Sequence, residues 1–192
     1  MSCPRCHFHY NCICPAEPTL TSQARFVLLT HPRELSKTTN TGALMLRTLP
    51  HCRREIWDRV NPPQTLLDQL RQPDLQPWLL FPADAQHPAA PFQAEPSKQP
   101  LFIVLDATWQ EARKMVRKSP WLADLPRLSL SVTDTSTYTL RRNQQAGNLC
   151  TCEAGIALLD LIGEPQQAAQ LSHYYQTFID TFPAEQSGHR KG

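Results

Sequence analysis

Two groups of side chains in this sequence have the types and spacing for chemistry. The first is Cys3-Pro-Arg-Cys6 followed by Cys12-Ile-Cys14. Two closely spaced thiolate pairs can close a tetrahedral site around zinc or another thiophilic ion. His7 and His9 stand nearby as spare ligands. A site closed by four thiolates has no open coordination position, so its role is structural or RNA-contacting, not catalytic. Metal binding would supply the folding energy of so short a segment. The second group is Asp106, Thr108 and Trp109, at the end of the apolar run Leu101-Phe-Ile-Val-Leu105. The run reads as a strand buried on both faces. Asp106 marks its end, where a carboxylate can accept a proton or cap a helix. Thr108 can cap a helix whose apolar positions Trp109, Ala112, Met115 and Val116 recur at helical spacing. Strand, carboxylate, turn and helix in that order describe the carboxyl edge of an open α/β sheet, where ligands bind.

The remaining elements must bring those groups together. Arg25-Phe-Val-Leu-Leu-Thr30 reads as a strand stopped by His31-Pro32. Thr39, Asn40 or Thr41 can cap a helix through Ala43–Leu46 to about Leu49. Arg47, Arg53, Arg54 and Arg59 follow, either as a solvated face or as a phosphate-contacting patch. Glu55-Ile-Trp57 is a candidate short strand, Pro63 opens a helix through Leu66, Leu67 and Leu70, and Trp78–Phe81 is a strand stopped by Pro82. Residues 83–100 are a proline-rich loop, long enough to suggest function. Arg113, Lys114, Arg117 and Lys118 give the helix after Asp106 a basic face. Leu128, Leu130 and Val132 alternate as a further strand. Residues 133–147 are turn-rich and carry Arg141 and Arg142. A helix over Leu149–Ile162 ends at Gly163, and a last helix covers Pro165 to Phe182.

Composition bounds the class. The 192 residues suffice for one compact domain with a sizeable core. A net charge of +2 does not by itself imply nucleic acid. No apolar run is long enough to span a bilayer, and no secretory signal is present, so the expectation is a soluble cytoplasmic protein without disulfides. Cys52 reads as buried or incidental, and Cys150 and Cys152 as small residues packed at a close backbone approach. There is no GxGxxG, P-loop or GxSxG motif.

Asp106-Ala-Thr-Trp109 resembles the D-x-T-W signature of the DTW-domain family, the tRNA-uridine aminocarboxypropyltransferases. Further segments match in the family's order: His31-Pro-Arg-Glu34 its H-P-x-E, Thr39-Asn-Thr-Gly42 its T-N-T-G, Leu80-Phe-Pro82 its L-F-P. Cys150-Thr-Cys-Glu-Ala154 resembles its S-T-x-E-A, with Cys150 in place of the serine. The amino-terminal cysteine pairs are similar to those of bacterial members, and the resemblance runs from Cys3 to about Phe182.

The resemblance implies an α/β fold of SPOUT type, an open sheet with a carboxyl-terminal trefoil knot, preceded by a small four-cysteine zinc knuckle. The knuckle would occupy residues 1–20, the catalytic domain 21–183 and a flexible tail 184–192. S-adenosylmethionine would lie in the knotted loops, at Leu80, Phe81 and Pro82, at Leu130, and at Leu149, Cys150, Thr151 and Glu153. The implied reaction moves the 3-amino-3-carboxypropyl group of S-adenosylmethionine to N3 of a uridine in tRNA, in the variable loop, and releases methylthioadenosine. No stable protein partner is implied, and both monomer and homodimer are open.

On that basis Asp106 is the candidate general base for uracil N3. Thr108 would orient Asp106 or the ligand, and Trp109 would pack under a base. Glu153 or Glu34 would hold the methionine ammonium. The basic residues Arg113, Lys114, Arg117, Lys118, Arg141 and Arg142 would hold the tRNA backbone, with a flipped or unpaired uridine. Two other readings fit parts of the sequence: an RNA methyltransferase of the same broad fold, and a non-catalytic zinc-containing RNA-binding protein.

Overall fold

The computed structural model describes residues 1–130 and 149–189. Five strands form one sheet: β1 (Arg25–Thr30), β2 (Cys52–Ile56), β3 (Leu75–Leu80), β4 (Gln99–Asp106) and β5 (Arg127–Leu128). Their order is β2-β1-β4-β3-β5, and every neighbouring pair is parallel. The three apolar runs read as strands are β1, β3 and β4, the centre of the sheet. Both of their faces are covered, which is why they lack a polar alternation.

Alternate residues separate two cores. Phe26 and Leu28 of β1, Phe102 and Val104 of β4, and Trp78 of β3 face one apolar cluster. That face is covered by α1 (Gly42–Thr48), α5 (Thr151–Leu161), α6 (Pro165–Gln186) and the amino-terminal segment. Val27, Leu29, Leu101, Ile103 and Leu79 face the other cluster. Leu66 of α2 (Gln64–Leu70), Met115 and Val116 of α3 (Trp109–Lys118) and Leu122 of α4 (Pro120–Ala123) cover it. The result is a three-layer α/β/α arrangement.

Several boundaries differ from the sequence reading. The edge strand β2 starts at Cys52 and ends at Ile56, upstream of the expected Glu55–Trp57, because it pairs with β1 from Phe26↔Cys52 onward. β5 is only Arg127–Leu128, and Leu130 lies beyond it. The rest of the expected strand, from 131, lies outside the described residues, as do Arg141 and Arg142. The path from Leu130 to Leu149, on which the expected knot depends, lies there too. The last helix continues past Phe182 to Gln186 with Pro183 inside it. Proline there forgoes one helical hydrogen bond. The helix is nonetheless held, because Glu185 accepts from the backbone amides of His9, Tyr10 and Asn11. The chain expected to fray after Pro183 is therefore anchored through His189, whose carbonyl accepts from Asn11 Nδ2 at 2.8 Å.

The loop from Phe81 to Lys98 joins two adjacent parallel strands without a helix. Arg127 pins it, donating to Pro82 O at 3.0 Å and pairing with Asp84 at 2.6 Å. Phe92 folds back onto Trp78 and Phe102, with ring centroids 5.8 and 5.7 Å apart.

Candidate active site and metal centre

In the parallel register Thr30 stands beside Asp106, so β1 and β4 end together. The connection from β1 leads to β2 on one side, and β4 lies on the other. Such a switch point leaves a crevice at the strand ends. Asp106 is 2% exposed. Its Oδ2 accepts from Thr30 Oγ1 at 3.0 Å, its Oδ1 from Thr151 Oγ1 at 2.8 Å, and both oxygens from Asn40 Nδ2 at 2.9 Å. A carboxylate offers about four acceptor directions, and these donors take them up.

Asn40 and Thr41, two of the three residues the sequence suggested as caps of α1, do other work. Asn40 turns to Asp106, and its Oδ1 lies 3.4 Å from Arg54 Nη2. Thr41 makes no side-chain cap. Its hydroxyl accepts from the backbone amide of Cys152 at 3.2 Å, satisfying an otherwise unpaired donor in the first turn of α5. Gly42 follows, where a Cβ would meet Leu28 Cδ1 at 3.0 Å, Asn40 Oδ1 at 3.1 Å and Asp106 Cγ at 3.3 Å. The T-N-T-G segment thus supplies a donor, a tie to α5 and the clearance for both.

Thr108 and Trp109 do not join that cluster. Thr108 and Glu111 form a reciprocal cap at the start of α3, Glu111 N donating to Thr108 Oγ1 at 3.3 Å and Thr108 N to Glu111 Oε2 at 2.9 Å. The capping role read from sequence is present, whereas orientation of Asp106 falls to Thr30, Asn40 and Thr151. Trp109 is half-buried and stacks on Phe81 with centroids 5.4 Å apart. Phe81 packs with the cluster on the α3 side of the sheet, while Leu80, Leu130, Leu149 and Cys150 pack against the other. The structure therefore gathers those four expected cofactor residues and Thr151 on the Asp106 face. It sets Phe81 apart, and Pro82 is exposed and spends its carbonyl on Arg127.

Of the two carboxylates considered for an ammonium, Glu153 accepts from Cys150 N at 2.9 Å and caps its own helix. Glu34 is buried against Lys37 Nζ at 2.6 Å. Cys150 Sγ lies 3.6 Å from Tyr175 OH, and burial pushes its thiol up to about 11. Burial likewise raises Cys52 to about 12, so neither is a ready nucleophile. Arg113, Lys114, Arg117 and Lys118 are all exposed on α3. Thr30 was missed in the sequence. Its only signal was a hydroxyl at a strand end, and its partner lies far along the chain.

At the amino terminus the four cysteine sulfurs lie within 4.8 Å of one another. Cys3–Cys14, Cys3–Cys12 and Cys6–Cys12 are 3.6, 3.6 and 3.7 Å apart. Tetrahedral zinc with thiolates at its usual bond length would space sulfurs about 3.8 Å apart, so the cluster fits that ion. His7 and His9 are not in it. The amides of Cys6 and Arg5 lower the Cys3 thiol to about 6, whereas burial and the sulfurs of Cys12, Cys3 and Cys6 raise Cys14 to about 12. Neighbouring thiols oppose one another's ionisation, and a dication removes that conflict.

These features define a parallel α/β protein with a polar cluster at the carboxyl ends of its central strands and a four-cysteine cluster that could hold a metal ion. The chain belongs to the DTW domain family, whose family model matches residues 1–183. Membership is consistent with a tRNA-modifying function. No solved structure matches the chain.

Proposed function

We propose that the protein is a tRNA-uridine aminocarboxypropyltransferase that uses S-adenosylmethionine and modifies N3 of a uridine. The supporting observation is the convergence on one carboxylate. Asp106 of D-x-T-W is bonded by Asn40 of T-N-T-G and Thr151 of the T-x-E-A segment. Segments distant in sequence meet at one strand end, on the face of the sheet against which Leu80, Leu130, Leu149 and Cys150 pack, and these apolar residues would take the adenosine.

The sulfonium supplies an activated γ-carbon: the N3–carbon bond forms as the carbon–sulfur bond breaks, sulfur keeps the electron pair and leaves as methylthioadenosine, and the N3 proton passes to a base. Because its acceptor directions are already filled, Asp106 is the anchor that fixes α1 and α5 relative to the strands, and the γ-carbon is aimed by that rigid frame. The exposed cations of α3 would hold the phosphates of a tRNA whose target base is unpaired or flipped out. Closed by four thiolates, the cysteine site would serve structure and not turnover.

The test is a reaction of purified protein, S-adenosylmethionine and unmodified tRNA, followed by mass spectrometry of the nucleosides and the small-molecule product. Aminocarboxypropyl-uridine with methylthioadenosine is the expected result. A methylated nucleoside with S-adenosylhomocysteine would replace this reading by a methyltransferase. Neither product, from protein with its metal bound, would leave an RNA-binding protein.

A further inference from the structure

We propose that Arg54 is the residue that takes the α-carboxylate of S-adenosylmethionine. The inference rests on the donor named above and goes beyond it by assigning the group that recognises the amino-acid end. Arg54 lies in the edge strand β2 opposite Leu28, on the face that carries Thr30 and Asp106. Its Nη2 reaches Asn40 Oδ1 only at 3.4 Å. Its Nε is shielded from solvent and has no hydrogen-bond partner. Among the described residues no carboxylate lies within ion-pair distance of it.

That combination separates Arg54 from the other arginines with unsatisfied buried nitrogens. Arg47 meets Glu17 at 3.4 Å, Arg53 meets Glu55 at 2.9 Å and Arg127 meets Asp84 at 2.6 Å. The acids near Arg54 are already engaged: Asp106 by Thr30, Asn40 and Thr151, and Glu34 by Lys37. A desolvated guanidinium with an unmatched N–H is costly, and an incoming anion removes the cost. At neutral pH S-adenosylmethionine carries two cations, the sulfonium and the ammonium, and one anion, the α-carboxylate. The planar guanidinium fork matches a carboxylate in two parallel hydrogen bonds. A phosphate of the RNA backbone would meet exposed donors, such as those of α3, more readily than a donor shielded beside the Asn40–Asp106 pair. Anchoring the carboxylate also fixes the carbon chain that is transferred, so that the γ-carbon presents one face to N3.

Calorimetric titration tests this with three ligands: S-adenosylmethionine, its decarboxylated analogue and methylthioadenosine, which lacks the amino-acid chain. The wild-type protein should prefer S-adenosylmethionine over the decarboxylated analogue by roughly tenfold or more. In Arg54→Gln that ratio should fall to about one, with methylthioadenosine bound as in wild type. Arg54→Lys keeps the charge but loses the fork, and should keep only part of the ratio. An equal loss for all three ligands in Arg54→Gln would make Arg54 a structural residue and overturn the proposal. So would an unchanged ratio accompanied by weaker tRNA binding, which would make it a phosphate contact. Should Arg54→Gln fail to fold, equal wild-type affinity for S-adenosylmethionine and its decarboxylated analogue is enough to overturn it. If wild type binds none of the three ligands, the donor itself is wrong and both readings fall. If it binds S-adenosylmethionine without the dependence on Arg54, only the assignment of Arg54 falls.

Discussion

Asp106 accepts from residues of β1, of the segment before α1 and of the first turn of α5, and it is almost wholly buried. Were Asp106 only the general base first expected of it, Asp106→Ala would keep binding and lose turnover. The geometry changes that expectation. Removing the carboxylate takes a partner from the buried Asn40 amide, which still reaches Glu34 Oε2 at 3.4 Å, and from the half-buried Thr151 hydroxyl, while the Thr30 hydroxyl can turn to Leu28 O at 3.2 Å. The one buried Asn40 N–H left poorly matched, with the lost Thr151 bond, costs about 2 kcal/mol together. Urea unfolding should therefore show Asp106→Ala destabilised by about that amount, with S-adenosylmethionine affinity reduced alongside turnover. A variant within about 0.5 kcal/mol of wild type that lacks turnover would restore the purely chemical role. The distinction is invisible in sequence, where a strand-end aspartate looks the same whether it titrates or braces.

Helix α3 presents Met115 and Val116 to the sheet and Arg113, Lys114, Arg117 and Lys118 to solvent. Its reciprocal cap fixes where the helix starts, and hence which positions face outward. If this face holds a nucleic-acid backbone, replacing Lys114 and Lys118 by Gln should weaken tRNA binding. The slope of log affinity against log salt should also fall by about one per residue. An unchanged slope would move the contact elsewhere. The basic face and the strand before it were legible because both rest on local periodicity. So was β1, as an apolar run, and the second half of β3, read as Trp78–Phe81, whereas the strand starts at Leu75 and passes through Gln76 and Pro77. β2 was less so, since Cys52-Arg-Arg-Glu-Ile56 is an edge strand whose charges find partners only in three dimensions. The four-residue α4 is too short to show a period. Thr30 was passed over, and Asn40 and Thr41 were read only as caps, for one reason: each meets a partner far along the chain, Asp106 for the first two and Cys152 for Thr41. The four cysteines were legible as a cluster that could hold a metal ion because they are neighbours in sequence as well as in space.

The four-cysteine segment was read as a small separate knuckle over residues 1–20, and the packing joins it to the rest. Cys6, Phe8 and Ile13 lie in the same apolar cluster as Phe26, Leu44 and Tyr174. Phe8 packs on Phe178 and Phe182 of α6 at 5.8 and 6.1 Å. Glu17 pairs with Arg5 and Arg47 and accepts from Tyr174 OH at 3.2 Å. Glu185 closes the other end of the segment. Burial works to raise its carboxyl, but the amides of His9, Tyr10 and Asn11 outweigh that and hold it below the usual carboxylate value. A depressed value means that this contribution is present above the ordinary carboxylate range and is lost as pH falls through the folded value. Amide exchange at Tyr10 and Asn11 should therefore accelerate in acid beyond its intrinsic pH dependence. In Glu185→Gln it should already be fast near neutrality. Exchange at those amides that matches in the two proteins at neutral pH would show that the latch does not hold them. Metal removal is the larger perturbation of the same interface. A bound ion would hold the thiolates together, while Cys6, Phe8 and Ile13 are held by the core, so releasing the ion would loosen that packing. Purified protein should carry about one zinc per chain. A chelator should expose four further reactive thiols and lower the midpoint of a single unfolding transition, on the order of 10 °C for a chain of this size. Two resolved transitions, with the second at the midpoint of untreated protein, would mean that the knuckle folds by itself. One lowered transition would mean that the ion stabilises the sheet and α6 through Phe8, and that its loss is felt by the whole chain.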